Sequence, residues 1–154
     1  MGTRSRIGVM HGDKVKSIYC HWDGYLDFNG RILQEHYDSA RANHLVALGD
    51  MSSLRANIGE KHAFSKHDVP NIEVRVHNEE WCTFYGRDRG EKGVEFKVAQ
   101  TFDEFLEQCD NCGAEYYYIM RDGTWYCGDT YESGPLSKKL TALADALQAQ
   151  TVDQ

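Results

Sequence analysis

Proline is almost missing from this chain, with two residues in 154. No repeat, low-complexity tract or interdomain linker divides the sequence, so it reads as one globular domain spanning residues 1–154. No apolar run approaches the roughly 18 residues that a membrane span requires. The start, Met1-Gly2-Thr3-Arg4-Ser5-Arg6, lacks the apolar segment of a secretory leader. Arg6 also stands where the myristoylation pattern needs Ser or Thr. These absences make a cytoplasmic location the expectation. Cysteine is odd in number, five residues in all, which suits reduced free thiols better than a disulfide framework.

Positive charge is in short supply as well. Lys and Arg total 17 against 24 Asp and Glu, a formal net charge of −7. A nucleic acid polymer needs phosphates neutralised along a basic face, so binding to one is not expected. A local basic pocket for a small anion stays compatible with this balance. The acidic residues are interspersed and form no long run, which argues against mimicry of nucleic acid. Metal and nucleotide signatures are missing too. Cys109-Asp110-Asn111-Cys112 is a lone CxxC without the second ligand pair of structural zinc and without the βαβ setting of a redox motif. No Walker loop and no GxGxxG occur. Neither a metal nor a cofactor is expected.

Aromatic residues are plentiful: they make up 12% of the chain, and nine are tyrosines. They concentrate in Tyr19-Cys20-His21-Trp22-Asp23-Gly24-Tyr25, with Asn29-Gly30-Arg31 close behind. Seven residues there bring phenol, thiol, imidazole, indole and carboxylate together. A packing segment would not gather them, because each buried polar group costs free energy until it finds a partner. Side chains alternate along a strand, so Ile18, Cys20 and Trp22 are expected on a core face and Tyr19, His21 and Asp23 on a site face. Cys20 and His21 then point apart and cannot form a catalytic pair. His21 and Asp23 share a face, where they could orient an imidazole for base work or bind a ligand.

The elements follow from periodicity. Arg6 to Met10 and Val15 to Trp22 read as a hairpin around His11-Gly12-Asp13. Asn29 is expected to cap a helix carrying Ile32 and Leu33. A second helix is predicted from about Ser39 to Leu48, stopped by Gly49. Asp50 to Pro70, with His62 and His67, reads as a long irregular loop. Strands are predicted over Ile72–Val76, Trp81–Tyr85 and Val94–Val98. Thr101 and Glu104 form a capping box for a helix that ends at Gly113. Tyr116–Met120 and Thr124–Cys127 make a second hairpin around Asp122-Gly123. Pro135 is expected to start an amphipathic helix through Leu136, Leu140, Leu143, Ala144 and Leu147. The class is therefore α+β, with an antiparallel or mixed sheet of five to seven strands and helices packed on one face.

Gly86-Arg87-Asp88-Arg89-Gly90-Glu91-Lys92-Gly93 reads as a glycine-rich charged loop. Two arginines one residue apart can fork onto phosphate oxygens. Arg4 and Arg6 add to the same positive patch if they face it.

With Gly2-Thr3-Arg4-Ser5-Arg6-Ile7-Gly8, Tyr19 to Tyr25, Asn29-Gly30-Arg31, Leu48-Gly49-Asp50 with Ser52-Ser53-Leu54, and Tyr85 to Gly90, the chain resembles a group of small uncharacterised proteins encoded by bacteriophages and prophages. In that group proline often follows the Asp-Gly-Tyr; Leu26 stands there in this chain. The resemblance implies a host-cytoplasm setting and a counter-defence role, one form of which is a sponge for a cyclic or ADP-ribose-type nucleotide. The leading expectation is a homo-oligomeric binding protein for a small anionic ligand. Tyr19, His21, Trp22, Asp23, Tyr25 and Arg31 would line its site, with Arg87 and Arg89 on the phosphate. Two alternatives stand beside it: a nucleotide hydrolase using His21 and Asp23, and a protein-binding inhibitor of a host defence enzyme. The residue set favours binding over catalysis.

Overall fold

The computed structural model describes residues 2–62, 64, 80–130 and 140–152. Its centre is the hairpin of β1 (Ser5–His11) and β2 (Lys14–Cys20), which pairs antiparallel with Ile7 opposite Ile18. After β2 the chain makes a π-helical turn (Leu26–Gly30), then α1 (Arg31–His36) and α2 (Ser39–Ala47). It returns as β3 (Met51–Ser53), parallel to β2. A parallel return needs a crossover, and the two helices supply it. Next come β4 (Thr83–Phe84), α3 (Tyr85–Arg89), β5 (Lys97–Ala99) and α4 (Phe102–Cys112). The hairpin β6 (Tyr116–Arg121) and β7 (Thr124–Asp129) places β6 parallel to β1. Then β8 (Thr141–Ala142) runs into α5 (Leu143–Val152). The result is an α+β fold on one mixed eight-stranded sheet, ordered β4-β3-β2-β1-β6-β7-β8, with β5 on the far end of β2.

The sheet has a core on each face. Ile7, Ile18 and Tyr118 face Leu33 of α1, Leu45 of α2 and Leu143 of α5. Met10, Val15, Tyr117 and Ile119 face Phe105 and Cys109 of α4. Helices on one face is therefore right for α1, α2 and α5, while α4 covers the other. Strands β1 and β6 are buried on both faces along most of their length, and a strand of that kind must be covered twice.

Several local expectations change. Strand β2 ends at Cys20, and His21 and Trp22 donate their backbone N–H groups to Met51 and Ser52 at 3.1 and 3.0 Å. Asn29 does not cap α1. It is fully buried, and its amide donates to the Trp22 carbonyl at 3.1 Å, tying down the loop instead. The stretch after Asp50 is no open loop: β3 begins at Met51, and His62 is buried. The charged glycine loop begins as a helical turn, α3, because the Asp88 carboxylate accepts from the Phe84 N–H at 2.8 Å and holds that turn closed. The Thr101 cap is present, its hydroxyl accepting from Glu104 N–H at 3.1 Å. The predicted strand over 72–76, His67 and Pro135 lie outside the described residues; the C-terminal helix itself begins only at Leu143, because Thr141 and Ala142 pair with β7, so Leu140 is not part of it.

Candidate functional site

Strand alternation puts Arg4, Arg6 and, across the hairpin, Tyr19 on the α4 side of the sheet, with Arg6 directly opposite Tyr19. Arg6 is 1% exposed and forms no ion pair with a carboxylate among the described residues. Its Nε donates to Ser17 Oγ at 2.9 Å and its Nη2 to the Ser17 carbonyl at 3.0 Å, and its Nη1 has only the Cys112 thiol, at 3.8 Å. A guanidinium in a dry interior raises the positive potential around it, since little solvent screens it.

Two residues out, Arg4 stands at the mouth. Its backbone is fixed, the carbonyl accepting from Glu115 and Tyr116 N–H. Its guanidinium makes no hydrogen bond or ion pair among the described residues. It lies against Gly113, the left-handed residue (φ 74) that ends α4. A Cβ at Gly113 would sit 2.9 Å from Arg4 Nη1, so only glycine admits this approach. The helix C-terminus carries partial negative charge, which favours the guanidinium here but supplies no counter-ion. Gly2, Thr3, Arg4, Gly113 and Glu115 line a cleft of about 420 Å³.

Beside Arg4, the Tyr19 phenol and His21 Nδ1 are 2.7 Å apart. Burial lifts the phenol to about 12, so it stays protonated. Burial lowers the imidazole below its usual range, with Arg4 adding to the effect. Its shift favours the neutral ring, which shares one hydrogen bond with the Tyr19 hydroxyl through Nδ1. Trp22 meets His21 edge to face at 4.7 Å and is 43% exposed. Gly2 packs on this indole: a Cβ there would fall 2.7 Å from Trp22 Cε3. The indole and the cleft therefore meet across Gly2. Behind Tyr19, the Asp50 carboxylate accepts the Tyr19 N–H at 2.9 Å, and burial raises its pKa.

The expected site residues divide into three groups. Tyr19, His21 and Trp22 come together; Trp22, expected on the core face with Ile18 and Cys20, is instead exposed beside His21, because β2 ends at Cys20 and strand alternation no longer governs it. Tyr25 packs on Phe28, and Arg31 pairs with Asp27 at 2.7 Å. No hydrogen bond, ion pair or ring contact joins either to the Tyr19–His21 pair among the described residues. Asp23 occupies a left-handed turn (φ 57), and Tyr19 rather than Asp23 partners His21. Arg87 is committed inside the protein. It donates to the carbonyls of Ile58 and Cys82, at 3.0 and 2.8 Å, and to the buried Asp88 carboxylate at 3.0 Å. Arg89 lies over the Phe64 and Tyr85 rings and pairs with Glu91. Tyr85 bonds Ser52 and is close enough to Tyr19 to affect its titration. Arg89 thus borders the Tyr19 flank through Tyr85, whereas Arg87 does not reach it.

Sequence reasoning placed Arg4 and Arg6 in a conditional patch with the arginine loop and missed Asp50, Gly113 and Tyr85. The Arg-x-Arg spacing was the available signal, since it puts both guanidinium groups on one strand face. Among the described residues no group of three or more His, Cys, Asp or Glu is placed to hold a metal ion. No helix among them is long and apolar enough to cross a membrane. No family model, curated protein or solved structure matches the chain.

Proposed function

We propose that this protein binds and sequesters a small anionic ligand, a nucleotide being the best-fitting class, at the cleft beneath Arg4. One observation carries the reading: a guanidinium with no hydrogen bond or ion pair among the described residues stands at the mouth of a cleft of about 420 Å³, beside the Tyr19–His21 pair. A volume of that order suits a small ligand. Arg4 supplies the charge, His21 a ring nitrogen for a hydrogen bond, and Trp22 an exposed ring on which a base of any kind can stack. The resemblance to small phage proteins supports a counter-defence setting in the host cytoplasm. An open cleft near a chain surface gains enclosure from a second copy, so the active form is a homo-oligomer. Light scattering that finds only monomer at every accessible concentration would remove that part.

The test is retention. The protein is incubated with a nucleotide panel, freed of unbound ligand, heat-denatured, and the released material is identified. Intact ligand supports sequestration. Altered ligand points to catalysis with His21 as base. Retention of nothing from the panel overturns the reading and favours a protein partner for the exposed Trp22 and Tyr25. Arg4→Ala should weaken retention by about tenfold or more, the loss of one charge-assisted hydrogen bond. Its stability should change by no more than about 1 kcal/mol, because only the contact with the α4 terminus is lost.

A further inference from the structure

Strand β2 has a gap along its outer edge. Strand β5 pairs with it from Val15 to Ser17, and β3 pairs with it at Cys20. Between the two, Tyr19 has no strand partner on that side among the described residues, so its backbone N–H needs an acceptor from elsewhere. The Asp50 carboxylate supplies it at 2.9 Å. The next outward N–H, that of His21, goes to the Met51 carbonyl at 3.1 Å. The Asp50 side chain thus takes the place of a strand carbonyl one step before β3 begins. Asp50 is itself held on both flanks: its N–H donates to the Val94 carbonyl at 2.8 Å, and its carbonyl accepts from the Tyr85 N–H at 3.2 Å. Gly49 before it is left-handed (φ 92), and a Cβ there would fall 2.6 Å from the Val94 oxygen, so this approach needs glycine. From Asp50 the contacts lead to the site, because the Tyr19 hydroxyl lies 2.7 Å from His21 Nδ1.

Resting on the reading above, we propose that Asp50 is a positioning residue for the ligand site, acting through Tyr19 on His21 by the place of its hydrogen-bond acceptor rather than by its charge. The Asp50 backbone is fixed by Val94 and Tyr85, so the length of the side chain decides where the acceptor stands. One oxygen meets the Tyr19 N–H, and the other makes no hydrogen bond among the described residues. Asparagine offers a carbonyl oxygen at the same distance from the backbone and no charge; glutamate keeps the charge and carries its oxygens one carbon further out. With the acceptor displaced, the Tyr19 N–H loses its partner or the end of β2 shifts to recover one. Either change moves the phenol away from His21 Nδ1.

The experiment reads the His21 ring by nitrogen NMR on the whole chain, with Tyr19→Phe as the reference for a ring that has lost its phenol partner. Asp50→Asn, the conservative variant, should keep the Nδ1 resonance of the unsubstituted protein. Asp50→Glu should move it toward the Tyr19→Phe value. Should Asp50→Glu not fold, Asp50→Ser, whose hydroxyl stands short of the Tyr19 N–H, takes its place with the same expected result. A displaced acceptor that leaves Nδ1 unmoved overturns the proposal. An Asp50→Asn ring that matches Tyr19→Phe overturns it as well, since the charge then holds the pair. Retention should follow the ring, with adenosine monophosphate as the probe, replaced by a panel nucleotide that is retained if it is not. It should weaken about threefold to tenfold in Asp50→Glu and Tyr19→Phe, the loss of one neutral hydrogen bond, and be kept by Asp50→Asn. Equal retention in all three variants while Nδ1 moves overturns the positioning role and leaves nucleotide binding standing. If the unsubstituted protein retains no panel nucleotide, the functional reading falls and the positioning role falls with it.

Discussion

Arginine takes four different roles in this chain, and the roles are set by what surrounds each guanidinium rather than by residue type. Arg31 reaches Asp27 and Glu35 across exposed helix turns. Pairs of that kind contribute little, so Arg31→Ala should change unfolding free energy by only about 0.5 kcal/mol. Arg87 is the opposite case. It bridges the carbonyls of Ile58, Gly59 and Cys82 and pairs with a carboxylate whose side chain is fully buried. Its loss would strand Asp88 among His62 and the Phe84 N–H without a cation, so Arg87→Ala should cost about 3–5 kcal/mol in denaturant unfolding. A cost below about 1 kcal/mol would show that the network tolerates the vacancy. Arg6 is buried and polarises its surroundings; Arg4 makes no hydrogen bond or ion pair among the described residues, which is what the proposed ligand role uses.

At the scale of elements, α4 connects stability to the site. Its start is a Thr101 cap and its end is Gly113 in the left-handed conformation. Thr101→Ala should lower stability by about 1 kcal/mol and leave ligand retention unchanged, since the cap is far in sequence from the cleft. Gly113→Ala should lower both stability and ligand retention. It strains a position at φ 74 and drives a methyl to within 2.9 Å of Arg4 Nη1. Melting temperature and ligand affinity should therefore fall together in that variant and separate in the other. If Gly113→Ala keeps full affinity, Arg4 does not act from the position seen here.

The whole molecule carries several ionisable groups that fold only when neutral. Burial raises the Cys20 thiol from 9.0 to about 12 and pushes Cys82, Cys109, Tyr37 and Tyr118 upward as well. Their folded values exceed their unfolded ones. The stability they support is therefore complete below about pH 9 and is lost as pH rises from there toward 12. His21 works in the other direction, because its folded value lies below 6.5. The unfolded chain then takes up the proton first, and stability declines as pH falls below about 6.5. Thermal melts across pH should show a plateau between these limits. A melting temperature still rising above about pH 10 would contradict the burial of the thiols.

The hairpins, the Thr101 cap, the Gly113 stop and the second helix over residues 39–47 were legible in the sequence, because each is set by neighbours within a few residues. So was the Tyr19–His21 face, since alternation along a strand is local geometry. The parallel pairings of β1 with β6 and of β2 with β3, and the cover of α4 on the second face, depend on contacts between distant segments and left no local signature. The same holds for the arginines. Four guanidinium groups look alike along the chain, and only the folded structure decided that Arg87 would be enclosed by carbonyls, Arg6 buried behind Ser17, Arg31 paired in solvent, and Arg4 left without an ion pair among the described residues at the cleft.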